Sequence, residues 1–175
     1  MTLAPGDPAP EFELPDTAGV PTALDASSSR ATAVVFTCNH CPYALAWHER
    51  INAVARDYAE RGVRTLQISS NDAQRYPRDS LEAMRERVDQ GEFSGPYLYD
   101  ESQEVARAFG ATVTPDVFVL DREGRVVYRG APDADHVDES QRASWLRDAL
   151  DAVLDGREVE TPETQPRGCS IKWRR

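Results

Sequence analysis

Residues 34–43 read Val-Val-Phe-Thr-Cys-Asn-His-Cys-Pro-Tyr, and the fold of the surrounding chain can be worked out from this stretch. It overlaps an apolar, β-branched run over residues 31–38, which is typical of a buried parallel strand. From Pro42 to Arg61 apolar residues recur at spacings of three and four, which predicts an amphipathic helix. Cys38 and Cys41, with two residues between them, are therefore expected where a strand gives way to a helix.

Two cysteines at such a junction suggest disulfide chemistry. Unpaired N–H groups and a partial positive charge at a helix N-terminus stabilise a thiolate, the form of cysteine that attacks disulfides. The spacing suits a disulfide across one helical turn, with Cys38 expected to be exposed and Cys41 to lie behind it. One sulfur would form a mixed disulfide with a substrate, and the other would resolve it. His40 is expected beside Cys38, where its ring would further favour the thiolate.

A zinc site is the main alternative interpretation of this Cys-x-x-Cys motif. A structural zinc ion needs four ligands, and no second motif of this kind is present. The soft ligands left to complete such a site are Cys169, His40, His48 and His136. A cytosolic Cys-x-x-Cys near a βαβ pattern is more typical of a thioredoxin-like redox protein. We therefore interpret the pair as redox-active and expect no metal and no cofactor.

The rest of the chain predicts a mixed α/β fold. A second strand at Val63–Ser69 completes a βαβ unit, and a short edge strand is expected at residues 12–14. The later elements are predicted as a helix over 80–90, a strand over 96–99, a helix over 102–109, a hairpin over 113–121 and 125–130, and a helix over 139–154. This order implies one domain spanning 1–175, with a mixed sheet covered by helices on both faces.

Composition narrows the classes of partner. Thirty acidic residues against 20 basic ones give a net charge of −10, which argues against nucleic-acid binding. No stretch approaches the roughly 20 apolar residues that span a bilayer, and the first residues have no signal-peptide pattern. We expect a soluble, cytoplasmic protein without membrane partners. The acid excess and the single lysine fit either a salt-adapted surface or a GC-rich genome, and both alternatives stay open.

Several of these features together resemble the thioredoxin fold: the strand–Cys-x-x-Cys–helix unit, Thr114-Pro115 before a later strand, and the hairpin followed by a helix. The leading Pro-Gly-Asp-Pro-Ala-Pro-Glu-Phe segment is similar to the start of the alkyl hydroperoxide reductase/thiol-specific antioxidant group, which includes peroxiredoxins. Phe36–Tyr43 and Gly168-Cys-Ser-Ile-Lys-Trp resemble the peroxiredoxin-like redoxins within that group.

The resemblance implies roles for four residues. Cys38 matches the nucleophilic cysteine of thioredoxins and Cys41 the resolving one, while His40 would tune the reduction potential. Pro115 matches the cis-proline that faces the dithiol. Because proline has no N–H, neighbouring backbone groups would stay free to pair with a substrate peptide.

One departure from the family pattern separates two enzyme hypotheses. Peroxiredoxins carry a threonine three residues before the peroxidatic cysteine. In this chain the residue three before Cys38 is Val35 and the residue three before Cys41 is Cys38, so neither cysteine has that threonine. A thiol–disulfide oxidoreductase is therefore the leading hypothesis. Its expected partners are protein or small-molecule disulfides and a thiol electron donor such as a thioredoxin-type system. A thiol-dependent peroxidase with antioxidant activity and a non-catalytic metal-binding or scaffold module remain alternatives.

The third cysteine lies in the C-terminal tail, residues 161–175. Ile171 and Trp173 could anchor this tail on the body of the domain, and Gly168 lets its backbone bend. We therefore expect the tail to dock with Cys169 near the dithiol. There it would exchange with Cys38 or Cys41 as a second resolving thiol.

Overall fold

The computed structural model describes all 175 residues and contains a mixed sheet flanked by helices, as the sequence predicts. Nine strands are present: β1 (Glu13–Pro15), β2 (Pro21–Ala23), β3 (Ala31–Thr37), β4 (Val63–Ser69), β5 (Tyr97–Tyr99), β6 (Val113–Thr114), β7 (Asp116–Asp121), β8 (Val126–Gly130) and β9 (Cys169–Ser170). The four α-helices are α1 (Pro42–Ala59), α2 (Leu81–Asp89), α3 (Glu104–Phe109) and α4 (Ser144–Leu154).

The central sheet has the strand order β5-β4-β3-β7-β8. Strands β3, β4 and β5 are parallel, whereas β7 is antiparallel to both β3 and β8. Every residue of β3 is buried, which explains its continuous apolar, β-branched sequence. Two small sheets, β1–β2 and β6–β9, lie outside the central one. This arrangement is the thioredoxin fold that the sequence predicts.

Side chains alternate across β3 and so divide the core into two clusters. Ala31, Ala33 and Val35 pack with buried residues of α1 and α4 on one face. Val34 and Phe36 pack with residues of α3 on the other. The two-residue period of a strand places successive side chains on opposite faces. β3 is therefore held from both sides, and its C-terminal end delivers Cys38 to a fixed position.

One boundary differs clearly from the sequence-based expectation. The helix predicted over 139–154 begins at Ser144, because residues 139–140 form a turn and Ala143 has the left-handed conformation. In α1 the buried face includes Trp47, while Leu45 is 43 % exposed. None of the helices is both long and apolar enough to cross a membrane.

Candidate active site

The two cysteines of the motif lie where β3 ends and α1 begins. Cys38 follows the last residue of β3, and Cys41 is the N-cap of α1, with Pro42 at its first position. Both are free thiols and both are buried, with 2 % of Cys38 and none of Cys41 exposed. The expectation of an exposed Cys38 is therefore wrong. Cys169 of the tail packs against this pair and contributes to its burial.

Thr114 connects the dithiol to the loop that precedes β7. Its hydroxyl oxygen lies 3.4 Å from the Sγ of Cys38, and its carbonyl oxygen lies 3.3 Å from the Sγ of Cys41. The peptide bond between Thr114 and Pro115 is cis, as the resemblance to thioredoxins implies. The structure thus places Pro115 directly after the residue that contacts both sulfurs.

The C-terminal tail occupies the backbone edge beside this loop. β9 pairs antiparallel with β6, so that Cys169 lies opposite Thr114, and the N–H of Ile171 donates to Thr112 at 3.0 Å. Gly168 allows the close approach, because a Cβ at that position would lie only 2.0 Å from the carbonyl oxygen of Thr114. The edge that the resemblance assigns to a substrate peptide is therefore filled by the chain itself.

Polar contacts fix the end of the tail. The N–H of Lys172 donates to Asn71 Oδ1 at 2.9 Å, and the Lys172 carbonyl accepts from the N–H of Asp72 at 2.8 Å. Gln103 donates from Nε2 to the same carbonyl at 2.9 Å and accepts from the N–H of Arg174 at 2.9 Å. The tail is held on both sides of Lys172 and lies in a defined position over the site.

His40 lies beside a buried carboxylate that the sequence did not single out. Its Nδ1 is 2.5 Å from Asp79 Oδ2, and its ring stacks on Tyr76 with centroids 5.6 Å apart. Asp79 is fully buried and also accepts from the N–H of Asn39 at 2.7 Å and from Asn71 Nδ2 at 2.9 Å. Sequence reasoning missed Asp79 because an aspartate in a polar loop before a helix is ordinary.

The environment separates the two thiols electrostatically. Contact with the Cys38 side chain lowers the pKa of Cys41 against the opposing effect of burial, with help from the Cys169 side chain and the N–H groups of Ala44 and Cys169. The pKa of Cys38 is raised by its contact with Cys41, then by burial and by the negative charge of Asp79. These shifts run opposite to the sequence-based expectation of a favoured Cys38 thiolate, and as a thiol Cys41 donates to the Thr114 carbonyl.

Comparison with known proteins decides the family. The family model described as Redoxin matches residues 4–145, which is most of the chain. The chain belongs to the Redoxin family. The prediction of a redoxin is confirmed. Membership supports an oxidoreductase that uses thiol chemistry. A search of curated proteins finds no match.

Solved structures resemble this redoxin over nearly its full length. A hypothetical protein from Sinorhizobium meliloti is 40% identical in sequence and superposes with a TM-score of 0.91. The alignment covers 99% of this redoxin and 97% of that protein. The peroxidoxin BcpB from Mycobacterium tuberculosis is 21% identical, and the alignment covers 88% of this redoxin and 97% of BcpB with a TM-score of 0.64. A thiol:disulfide interchange protein from Bacteroides is 18% identical, and the alignment covers 89% of this redoxin and 93% of that protein with a TM-score of 0.64. The last two likenesses show the fold.

The redoxin brings three ligand types together around Cys38. The Sγ of Cys38, a ring nitrogen of His40 and a carboxylate oxygen of Asp79 lie within 4.8 Å of one another. This set is one donor short of a structural zinc site. His48 is turned toward the carbonyl of Glu92, and His136 packs on an aromatic ring of α1, so neither joins the set.

Proposed function

We propose that this redoxin is a thiol–disulfide oxidoreductase whose working couple is the Cys38–Cys41 pair. One observation carries the proposal: the two free thiols pack in one buried cluster at the start of α1, and both contact Thr114 of the cis-proline loop. Two neighbouring thiols, one of which can attack as a thiolate, are what a reversible disulfide requires.

The couple exchanges two electrons with an external disulfide. Reducing one external disulfide to two thiols oxidises Cys38 and Cys41 to a disulfide, and an external thiol donor restores the dithiol. The pKa of Cys38 is raised, so its proton needs an acceptor when the disulfide forms. The groups placed to take up that proton are Asp79 and His40, which lie within 4.8 Å of the Cys38 sulfur.

The position of the tail bears on which disulfides act as substrates. A protein substrate that binds by pairing with β6 would have to displace β9, including the bonds that hold Lys172. A small-molecule disulfide needs no such edge. We therefore propose small disulfides as the preferred substrates, with a thioredoxin-type thiol donor as the source of electrons.

Equilibration with a glutathione series tests the couple directly. We expect one disulfide per molecule to form in the wild type and none between these positions in Cys38→Ser or Cys41→Ser. The midpoint reduction potential of the couple indicates the direction of electron flow. A value of about −270 mV, as in thioredoxin, implies a reductase, whereas a value of about −120 mV implies an oxidant. A wild-type protein that forms no Cys38–Cys41 disulfide at any ratio would refute the proposal.

A thiol-dependent peroxidase is the second candidate, and one contact favours it. Although no threonine precedes either cysteine at the peroxiredoxin spacing, the Thr114 hydroxyl reaches Cys38 at 3.4 Å from another part of the chain. Stopped-flow reaction with hydrogen peroxide and an organic hydroperoxide tests this candidate, with Thr114→Val as the variant that removes the hydroxyl. A wild-type rate no faster than that of free cysteine would eliminate it.

A further inference from the structure

The three cysteines form a row in which Cys41 is the middle member. Cys38, Cys41 and Cys169 pack together in one cluster. Both of the other thiols lie close enough to lower the pKa of Cys41, whereas Cys169 is absent from the groups that shift the pKa of Cys38. Thr114 holds the row together, because it contacts the sulfurs of Cys38 and Cys41 and pairs with Cys169 across the β6–β9 ladder. Two neighbouring disulfides, Cys38–Cys41 and Cys41–Cys169, are therefore compatible with this row.

Access to solvent differs along the row. Cys38 and Cys41 are buried, while Cys169 is partly exposed. The tail that carries Cys169 is fixed by the Asn71, Asp72 and Gln103 contacts and by the buried side chain of Ile171. With the tail in place, Cys169 is the sulfur of the three that an external molecule meets first.

We propose that Cys169 is a third redox thiol that passes a disulfide between external substrates and the buried couple, and that it does so through Cys41 alone. The inference rests on the proposed exchange function and deepens it. Residue 169 lies outside the 4–145 segment that matches the family model.

The first step takes place at Cys169. Its sulfur attacks one sulfur of an external disulfide, the external S–S bond breaks, and one substrate thiolate leaves. The proton of Cys169 passes to solvent, to which this side chain is partly exposed. Burial raises the pKa of Cys169, the Cys41 contact adds to the effect and the positive charge of Lys172 opposes it, so this first step is expected to become faster as the pH rises.

Two internal exchanges follow. Cys41 attacks the Cys169 sulfur, forms the Cys41–Cys169 disulfide and releases the second substrate group, which leaves with the proton of Cys41. Cys38 then attacks Cys41 and forms the Cys38–Cys41 disulfide, its proton is taken up by Asp79 or His40, and the departing Cys169 regains a proton from solvent. The external disulfide has become two thiols, Cys38 and Cys41 have been oxidised, and Cys169 returns as a thiol.

Disulfide mapping tests the order of the row. Reduced variants are exposed to glutathione disulfide, quenched in acid, alkylated and digested for mass spectrometry. Cys38→Ser is expected to accumulate a Cys41–Cys169 disulfide, while the matched Cys41→Ser variant forms no Cys38–Cys169 disulfide and carries glutathione on Cys169. If Cys38→Ser carries glutathione on Cys41 and keeps Cys169 free, the inference is wrong.

The rate of oxidation provides the second test and separates the two proposals. Cys169→Ser is expected to lose most of the rate at which glutathione disulfide generates Cys38–Cys41, whereas Ser170→Ala, an exposed neighbour on β9, keeps it. Far-UV circular dichroism and melting temperature confirm that both variants are folded. If Cys169→Ser matches the wild type, the relay is refuted and the proposed function stands. If the wild type itself forms no Cys38–Cys41 disulfide, the proposed function fails.

Discussion

Two segments meet at the dithiol and are held there in opposite ways. Residues 31–59 include β3 and α1, most of whose buried side chains belong to the two large hydrophobic clusters of the molecule. In the tail, residues 161–175, only Pro166 and Ile171 are buried, and most of the attachment is made by hydrogen bonds between backbone groups and a few amide side chains. The first segment positions the sulfurs, and the second controls what reaches them.

This difference shows that reactivity and access have separate physical origins in this redoxin. Contact with Cys38 and the N–H of Ala44, both within a few residues, lower the pKa of Cys41, and Cys169 of the tail adds to the effect. Burial of the same thiols depends on the packing of a distant strand. Substitutions should therefore be able to change one property without the other, and the following four are ordered from the largest expected effect to the smallest.

Trp47→Ala tests the apolar attachment of the first segment. Trp47 is fully buried, and its Nε1 donates to Asp133 at 2.8 Å. Removing a buried aromatic side chain is expected to cost about 3–5 kcal/mol of unfolding free energy, measured in urea. Leu45→Ala, at an exposed position of the same helix, should change it by less than about 0.5 kcal/mol. Equal destabilisation by the two variants would contradict this account.

Asp116 provides a pH-dependent test at the strands that support the tail. Arg129 pairs with Asp116 at 3.1 Å, and its backbone bonds to Pro162 and Thr164. Burial raises the pKa of Asp116 from 3.8 to about 6, an effect that Arg129 only partly offsets. The protonated carboxyl therefore favours the folded state below about pH 4, and this contribution is lost as the pH rises through about 6.

The comparison that isolates this contribution is wild type against Asp116→Asn. Between about pH 4 and pH 7 the unfolding free energy of the wild type should fall by about 2–3 kcal/mol relative to that of the variant, because one pKa unit corresponds to about 1.4 kcal/mol. Asp148→Asn, at an exposed position of α4, should follow the wild type. A difference between wild type and Asp116→Asn that stays constant with pH would show that Asp116 does not titrate in this range.

Ile171→Ala tests the tail itself. Ile171 is 3 % exposed, and its loss should cost about 2 kcal/mol, the lower end of the range for such truncations, because the tail can shift to fill the space. Alkylation of Cys38 and Cys41 by iodoacetamide should become faster, whereas Ser170→Ala leaves it unchanged. If Ile171→Ala destabilises the protein without faster alkylation, the tail does not control access.

Asp79→Asn should have the smallest effect on stability and a specific one on Cys38. The amide keeps one acceptor oxygen for the donors that surround Asp79, so a cost of about 1–2 kcal/mol is expected. Removing the negative charge should lower the pKa of Cys38, measured by the pH dependence of alkylation in the Cys169→Ser background. Asp89→Asn, exposed on α2, makes the same charge change at the surface and should leave that pKa where it is.

The sequence alone determined the strand, the dithiol and the helix. The buried residues of β3 are consecutive in the sequence, and the apolar residues of α1 recur at short spacings. Both elements can therefore be recognised without knowledge of the rest of the chain. The junction between them fixes the places of Cys38 and Cys41. The tail position of Cys169 could be anticipated only because Ile171 and Gly168 flank it.

Only the tertiary structure decided what surrounds the sulfurs. Asp79, Thr114 and Cys169 come from three distant parts of the chain, and they meet because the loops at the end of β3 and the β6–β9 pairing bring them together. The rise in the pKa of Cys38 caused by the charge of Asp79, and the contribution of Cys169 to the lower pKa of Cys41, follow from these neighbours. Short-range periodicity contains no information on such contacts, because each depends on packing between segments whose own sequences are compatible with many other partners.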